Sequence, residues 1–166
     1  MTVRLGVVMD PIESINPKKD STLAMLLAAQ QRGWNLQYMR REDLFLRDGR
    51  VYGHMREIAV SDNMDDWYSF AAAPTDAPLD VLEVILMRLD PPTDAEYLYT
   101  AYLLQLAQEQ GVLVVNSPES LRLINEKLFI SRFRELCAPT LVTSQRGRLR
   151  AFLEEQHDII VKPLDG

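Results

Sequence analysis

The chain has a single cysteine, only two histidines and no apolar run long enough to cross a membrane. One cysteine excludes an internal disulfide framework and is typical of a reducing compartment. His54 and His157 are far apart and have no partner cysteine, so no His/Cys spacing typical of a metal site is found. The first apolar run ends at Asp10-Pro11 and is too short for a signal-peptide core. These absences predict a soluble, cytoplasmic protein.

Basic residues are outnumbered, with 18 Lys and Arg against 24 Asp and Glu and a net charge of -6. Nucleic-acid-binding proteins usually present a basic face, so this balance argues against nucleic acid as a partner. The charge is uneven, since residues 117–166 hold 8 basic and 7 acidic residues and the first 116 hold 10 and 17. The more basic C-terminal part fits a phosphate-containing ligand, and ordinary charged helix surfaces would have the same composition.

Two short, almost unbroken apolar runs, Leu5–Met9 and Val84–Met87, are typical of strands covered on both faces of a parallel sheet. The second run leads directly into Arg88 and Asp90, followed by two prolines that stiffen the loop. Ligands of open α/β sheets bind at such carboxyl ends of strands. This stretch therefore predicts a ligand site, with a solvated strand end as the alternative.

Helix and strand patterns alternate along the first part of the chain, as in a doubly wound fold. Asp48-Gly49, between strand-like flanks, predicts a hairpin beside the main sheet. The other expected elements are a helix over 22–32 capped by Asp20 or Ser21, a strand over 36–40, a short helix over 64–72, a loop to residue 80, a helix from a Thr93 cap to about residue 110, and a strand over 112–115. The fold class is α/β, with a three-layer, mostly parallel sheet over residues 1–122.

A second unit is expected to begin at about residue 123. Ser117-Pro118 opens a helical run that is broken near Asn125 and ends before Pro139. A strand over 140–143, a helix over 145–156 and a strand over 158–161 should follow. No helix follows the last strand, so we expect residues 123–166 to begin a domain that continues in a longer protein.

Two lysines are the main candidates for chemistry in this second unit. Lys127 lies near the start of a helix, and Lys162 ends an apolar strand just before Pro163. An ammonium in such a place is a good point-charge partner for phosphate oxygens. Either lysine alone could as well be a solvated or ion-paired side chain.

The order of helix, strand, helix and strand around these lysines resembles the opening of an ATP-grasp nucleotide-binding fold. In that fold a second lysine precedes a glycine-rich phosphate loop, which would begin here at Gly166. Further motifs, spread over the whole chain, are similar to those of bacterial glutathione synthetases. They are Met9-Asp10-Pro11-Ile12, Ile15-Asn16, Lys19-Asp20-Ser21, Met87-Arg88-Leu89-Asp90-Pro91-Pro92, Val115-Asn116-Ser117-Pro118, Asn125-Glu126-Lys127-Leu128 and Val161-Lys162-Pro163-Leu164-Asp165-Gly166.

The resemblance implies a pre-ATP-grasp, substrate-binding domain over residues 1–122, followed by the start of an ATP-grasp domain over 123–166. It also implies an ATP-dependent carboxylate–amine ligase that uses Mg²⁺. Such an enzyme joins γ-glutamylcysteine to glycine through an acyl phosphate and releases ADP and phosphate. Family members form homo-oligomers and act on small molecules, so neither nucleic acid nor a membrane is expected as a partner.

By position in the motifs, Lys127 and Lys162 would contact ATP. Arg88 would hold the dipeptide carboxylates or the reacting acyl group, since a guanidinium matches carboxylate geometry. Ser21 and Asn16 are weaker substrate candidates, and all of these roles are implied by the resemblance. A further residue, Asp90, is expected to be structural, orienting Arg88 or capping its loop.

The chain departs from the family in lacking the acidic residues that bind Mg²⁺, the phosphate loop and the later arginines. We therefore expect no metal ligand and no certain catalytic residue within it, and no activity from these 166 residues alone. A related alternative is another ATP-grasp ligase, of the D-alanine–D-alanine or ribosomal-protein-modifying type. An alternative of a different class is a free-standing, non-catalytic binding module with a flavodoxin-like sheet.

Overall fold

The computed structural model describes residues 2–164, except for the side chain of Glu126. Packing divides the chain into two compact units, Met1–Arg122 and Leu123–Gly166. The expected start of the phosphate loop at Gly166 lies outside the described residues.

The first unit contains all the strands found among the described residues. The strands are β1 (Arg4–Met9), β2 (Asn35–Met39), β3 (Leu44–Arg47), β4 (Arg50–Val60), β5 (Tyr68–Phe70), β6 (Thr75–Pro78), β7 (Val84–Arg88) and β8 (Leu113–Val115). The α-helices are α1 (Ser21–Gln31), α2 (Ala95–Glu109), α3 (Pro118–Leu123), α4 (Glu126–Phe129) and α5 (Arg146–Gln156). Short 3₁₀ helices lie at Ile12–Ser14, Arg41–Asp43, Leu79–Val81 and Ile130–Leu136.

The eight strands form one sheet in the order β3-β4-β2-β1-β7-β8, with β5 and β6 also paired to β4. The central strands β2, β1, β7 and β8 run parallel. The antiparallel pairs all involve β4, which begins in the predicted hairpin. Asp48 and Gly49 in its turn have φ of 51° and 77°, the left-handed conformation that an Asp-Gly hairpin turn requires.

Both faces of the sheet are covered, which confirms the predicted three-layer α/β architecture. Leu5, Val7 and Met9 of β1 pack into one apolar cluster together with Leu26 of α1. Val8 points to the opposite face and belongs to a second cluster, which includes Ala101, Leu104 and Ala107 of α2. Because successive strand residues face opposite sides, a strand buried on both faces must be apolar throughout, as this run is.

The prediction of a short helix over 64–72 is wrong, because Tyr68–Phe70 forms β5 against the second half of β4. Its aromatic side chains favour a strand, and Tyr68 and Phe70 pack edge to face with ring centroids 5.4 Å apart. Part of the predicted loop up to residue 80 is also a strand, β6, paired with the first half of β4.

Helix α2 begins one residue later than predicted. The side chain of Asp94, and not that of Thr93, caps it by accepting a 2.9 Å hydrogen bond from the Tyr97 backbone N–H. The cap of α1 is as expected, since Asp20 accepts from the Leu23 backbone N–H at 2.6 Å. Both helices are followed by a glycine with positive φ, Gly33 and Gly111.

The second unit is built from short helices. Helix α4 begins after the predicted break, where the Asn125 side chain accepts hydrogen bonds from the backbone of Lys127 and Leu128. Helix α5 matches the predicted helix over 145–156. The strands predicted over 140–143 and 158–161 are not formed, because neither segment has a ladder partner among the described residues. None of residues 123–164 whose burial is described is fully buried.

Candidate functional site

Arg88 ends β7 on the face of the sheet that α1 covers. It follows Val84 and Leu86, which pack on the α1 side, with the two-residue spacing of a strand. Its Nε donates to Thr22 Oγ1 at 3.0 Å and its second guanidinium nitrogen donates to Ser21 Oγ at 2.8 Å. Both acceptors are neutral hydroxyls in the first turn of α1. Among the described residues, no carboxylate pairs with Arg88.

A cavity of about 260 Å³ opens beside this pair of hydrogen bonds. Its walls come from the end of β1, the loop before α1, the first turn of α1 and the end of β7. The lining residues are Met9, Asp10, Ile15, Lys19, Asp20, Ser21, Thr22, Arg88 and Asp90. The structure therefore brings the predicted residues Arg88 and Ser21 together at the carboxyl ends of parallel strands, where ligands of such sheets bind.

Asn16, the third predicted substrate residue, is not among the lining residues. Its side-chain oxygen accepts from the Lys18 backbone N–H at 3.2 Å, and its carbonyl accepts from the backbone N–H groups of Lys19 and Asp20. Asn16 thus shapes the turn that leads into α1, and a substrate contact for it stays a prediction.

Asp10 performs the loop-fixing role that was expected of Asp90. Its Oδ2 accepts a 2.8 Å hydrogen bond from the Asp90 backbone N–H, which joins the ends of β1 and β7. Its Oδ1 lies 3.6 Å from Arg41, whose guanidinium also lies 3.8 Å from the Asp94 cap of α2. Sequence reasoning missed Asp10 and Thr22 as partners of this loop, although the strand-end position of Asp10 was a usable signal.

A second polar network lies at the end of β2. The Tyr38 hydroxyl accepts from the Ile12 backbone N–H at 3.3 Å and from Arg40 Nε at 3.2 Å, and Arg40 pairs with Glu13 at 2.6 Å. Burial raises the pKa of Tyr38 above its ordinary value, and the hydrogen bond from Arg40 opposes this only in part. Because its bonds hold the 3₁₀ helix Ile12–Ser14, Tyr38 supports the loop that precedes α1.

In the second unit, Asn125 connects the two segments that carry the predicted ATP-binding lysines. Its side-chain oxygen caps α4, which contains Lys127. Its side-chain nitrogen donates to the Leu164 carbonyl at 2.8 Å, two residues after Lys162. Sequence reasoning noted Asn125 as a helix break and as part of the motif that contains Lys127. Its bond to Leu164 was not predicted, because a contact between residues 39 positions apart has no local signal.

The described part of the chain shows no group of three or more His, Cys, Asp or Glu side chains that could hold a metal ion. No helix in the same part of the chain has the length and apolarity that are needed to cross a membrane.

Two family models match the chain. The model of the prokaryotic glutathione synthetase N-terminal domain matches residues 3–122, and that of the prokaryotic glutathione synthetase ATP-grasp domain matches residues 126–166. Together they cover both units, and the first alone covers well over half of the chain.

Curated relatives carry the name glutathione synthetase. The protein from Pseudomonas syringae pv. tomato is 55% identical over 166 residues, which is 100% of this chain and 52% of the relative. That from Escherichia coli is 52% identical over 164 residues, 99% of this chain and 52% of the relative. That from Yersinia pestis is 52% identical over 164 residues, 99% of this chain and 51% of the relative. The chain thus spans about half the length of the curated relatives it matches.

Proposed function

Because the chain belongs to the prokaryotic glutathione synthetase family, we propose that it supplies the first half of an ATP-dependent ligase that joins γ-glutamylcysteine to glycine. The observation that carries this proposal is the unneutralised guanidinium of Arg88, fixed by Ser21 and Thr22 beside a cavity at the strand ends. A fixed guanidinium suits a carboxylate ligand, and the dipeptide of this reaction carries two carboxylates.

The first unit binds and orients the dipeptide in this proposal. Arg88 holds a carboxylate, while Asp10 keeps the loop that follows Arg88 in place through the Asp90 backbone N–H. Ser21 and Thr22 act by aiming the guanidinium. Holding reactants in a fixed geometry contributes a large part of the rate enhancement in reactions of this kind.

The second unit supplies the lysines for ATP. Lys127 and Lys162 would contact phosphate oxygens as point charges, and the bond from Asn125 to Leu164 keeps the segments that carry them together. Bound ATP supplies the phosphoryl group that activates the dipeptide carboxylate. Mg²⁺ is part of the proposal for the complete enzyme, and no residue of this chain is assigned to it.

The reaction proposed for the complete enzyme has two steps. A dipeptide carboxylate oxygen attacks the γ-phosphorus of ATP, the bond to the leaving ADP oxygen breaks, and an acyl phosphate forms. The glycine amine then attacks the acyl carbon, phosphate leaves with the C–O electron pair, and the amine loses a proton. The substrates are small molecules, and a cytoplasmic homo-oligomer is part of the same proposal.

The experiment that tests this function is a chimera in which the chain replaces the matching 52% of the Escherichia coli glutathione synthetase. We expect phosphate release from ATP that requires both γ-glutamylcysteine and glycine. Arg88→Lys in the chimera should raise the KM for γ-glutamylcysteine by about 10-fold or more, because a lysine cannot reproduce the forked contact. The KM for ATP should not change.

Arg47→Lys is the matched control, because Arg47 is exposed in the β3–β4 hairpin. It should leave both KM values unchanged. A folded chimera that activates another acid, such as D-alanine, in preference to γ-glutamylcysteine would contradict the proposed substrate and favour another ATP-grasp ligase. The 166-residue chain alone is expected to release no phosphate.

A further inference from the structure

The helices of the first unit cover one side of the sheet further than the other. On the α2 side, Val8 of β1, Ile85 of β7 and Val114 of β8 are all buried in one apolar cluster. The cover on this side therefore extends from the middle of the sheet to β8, the strand at its edge.

On the α1 side, the cover ends before the edge strand. Val7 of β1 is fully buried, and Leu86 of β7 is half-buried. Val84 lies opposite Leu113 and Leu86 opposite Val115 in the parallel ladder, so both β8 residues point to the α1 side, as their β7 partners do. Leu113 and Val115 have 58% and 41% of their surfaces exposed. The apolar surface of β8 is thus open on this side.

The neighbouring helices lie beside this surface or on the opposite side of the sheet. The first turn of α1 bonds Arg88 through Ser21 and Thr22. Met25 follows one turn later on the same side of the helix and is 43% exposed. Helix α3, which comes after β8 in the chain, packs Leu121 against the cluster on the α2 side. Within the described part of the first unit, β8 therefore lacks a helix on its α1 side.

The uncovered surface has the width of one helix. Adjacent strands lie about 4.8 Å apart, so β7 and β8 together present about 10 Å, which is the diameter of an α-helix with its side chains. Parallel strands are covered by helices on both faces in almost all known cases. We propose that an amphipathic helix from the second half of the complete ligase packs on the open face formed by Met25, Leu86, Leu113 and Val115.

The length of the relatives supports this occupant. The chain spans 52% of the Pseudomonas syringae and Escherichia coli proteins, so each has nearly as many residues again outside the match. The inference rests on the proposed function, in which the chain is the first half of a longer ligase. It adds to that function the surface by which the first half holds the second, next to the helix α1 that aims Arg88.

A second copy of this chain fits the open face less well. In an isologous contact, the second copy would have to offer the same sheet face. Sheets packed face to face are typical of antiparallel sandwiches, whereas parallel sheets are covered by helices. An amphipathic helix supplies the apolar stripe that the open face requires.

The test measures chemical access to residue 113 in two proteins. Leu113→Cys is made in the 166-residue chain and in the chimera with the Escherichia coli protein, and both are treated with a water-soluble maleimide. Mass spectrometry of the peptide that carries residue 113 gives the rate of modification. We expect fast modification in the chain alone and modification slower by about 10-fold or more in the chimera, where the helix must first open.

Leu46→Cys is the matched control. Leu46 is 49% exposed and lies on β3, far from β8 in the strand order. It should be modified at the same rate in the chain and in the chimera. Equal slowing at residues 46 and 113 would contradict the inference, because it would show no cover that is specific to the open face.

A charge on the open face gives a second readout. Leu113→Lys should leave the thermal midpoint of the chain alone unchanged, because the side chain is mostly in solvent. In the chimera it should lower the midpoint by about 3 °C or more, since the ammonium would be buried under the helix. Leu46→Lys should change neither midpoint.

Equal rates of modification at residue 113 in the chain and in an active chimera would overturn the inference and leave the proposed ligase function standing. Protection of residue 113 that is lost on dilution, in either protein, would assign the face to a second copy and also overturn the inference. A chimera that protects residue 113 at all concentrations, but releases phosphate without requiring γ-glutamylcysteine, would support the inference and contradict the proposed function.

Discussion

The two units of the chain differ most in how completely they bury their apolar side chains. In the first, Val7 and Leu26 are fully buried on one side of the sheet, and Val8 and Leu104 are fully buried on the other. In the second, Leu136, Ile160 and Val161 have 79%, 85% and 64% of their surfaces exposed. The first unit therefore has a core of its own, and the second forms its helices with no fully buried side chain among its described residues.

This difference shows that a short segment can form a helix by itself, whereas it needs a neighbouring segment to form a strand. Helices α4 and α5 form because their hydrogen bonds lie within the segment. Strands need a neighbour for every ladder bond, and the segments predicted as strands in the second unit have none among the described residues. The cavity that we propose for the dipeptide is thus built on a packed sheet. The lysines that we propose for ATP are carried by elements held mainly by local bonds such as the Asn125 cap.

The largest contrast is expected from removing a leucine from one helix of each unit. Leu104→Ala in α2 deletes a fully buried side chain and should lower the free energy of unfolding by about 2–5 kcal/mol. Leu153→Ala in α5 removes a side chain that is 44% exposed and should change it by less than about 0.5 kcal/mol. Urea unfolding followed by tryptophan fluorescence measures the first unit, because Trp34 and Trp67 both lie in it.

The matched measurement for the second unit is amide hydrogen exchange in α5 of the same two variants. A similar loss for both variants would contradict the account, because it would mean that Leu153 belongs to a core.

Replacing one glycine of each unit by alanine should change stability in opposite directions. A Cβ on Gly53 of β4 would lie 2.5 Å from Met39 Sδ and 3.0 Å from Leu79 Cδ2, both in fully buried side chains. Gly53→Ala should therefore destabilise the first unit by about 1–3 kcal/mol. Gly147 in α5 has no such neighbour within 4 Å, so Gly147→Ala should stabilise its helix by about 0.5–1 kcal/mol.

Amide hydrogen exchange in α5 measures the second effect, since a more stable helix opens less often. Faster exchange in Gly147→Ala would show that the glycine is required there for packing or for backbone conformation.

The smallest expected effect is on stability at alkaline pH, where the buried Tyr38 should differ from an exposed tyrosine. Burial raises the pKa of Tyr38 above its ordinary value of 10.0, so the folded state holds the phenol proton more tightly than the unfolded state. This contribution is fully present below the ordinary value and is lost as the pH rises through the raised pKa of the folded state. Tyr38→Phe should lower the free energy of unfolding at neutral pH by about 1 kcal/mol through its lost hydrogen bonds. The variant should also lose less stability than the original chain as the pH rises.

Urea unfolding followed by tryptophan fluorescence, at a series of pH values from neutral to alkaline, would check this. Tyr99→Phe, at a side chain that is 59% exposed, is the control and should leave the alkaline loss in place. If Tyr38→Phe loses as much stability at alkaline pH as the original chain, a group other than Tyr38 is responsible for that loss.

Much of the first unit could be predicted because its signals are local. The unbroken apolar runs marked β1 and β7, and the Asp-Gly pair marked the hairpin. Strands β5 and β6 were missed, since each exists only through its pairing with β4 and has too few residues to show a period. Residues 140–143 and 158–161 were predicted as strands from their composition, but they form none, because they have no ladder partner among the described residues.

The site was predictable to a similar extent. Arg88 was predicted from its place at the end of an apolar strand. Ser21 was predicted from the resemblance of its motif to that of the family. The hydroxyl of Thr22 and the carboxylate of Asp10 were not predicted, because their contacts join residues 66 and 80 positions apart. Long-range bonds of this kind depend on strand order and helix placement, which local composition does not encode.

The most direct test of the account is residue-resolved hydrogen exchange on the full chain, with and without γ-glutamylcysteine. We predict that amides of β1, β7 and α2 exchange slowly in the free chain and those of α5 exchange much faster, and that the dipeptide slows exchange at the first turn of α1 and the loop after Arg88. Equal protection of α5 and α2, or ligand protection confined to the second unit, would contradict the claim that a packed first unit carries the dipeptide site.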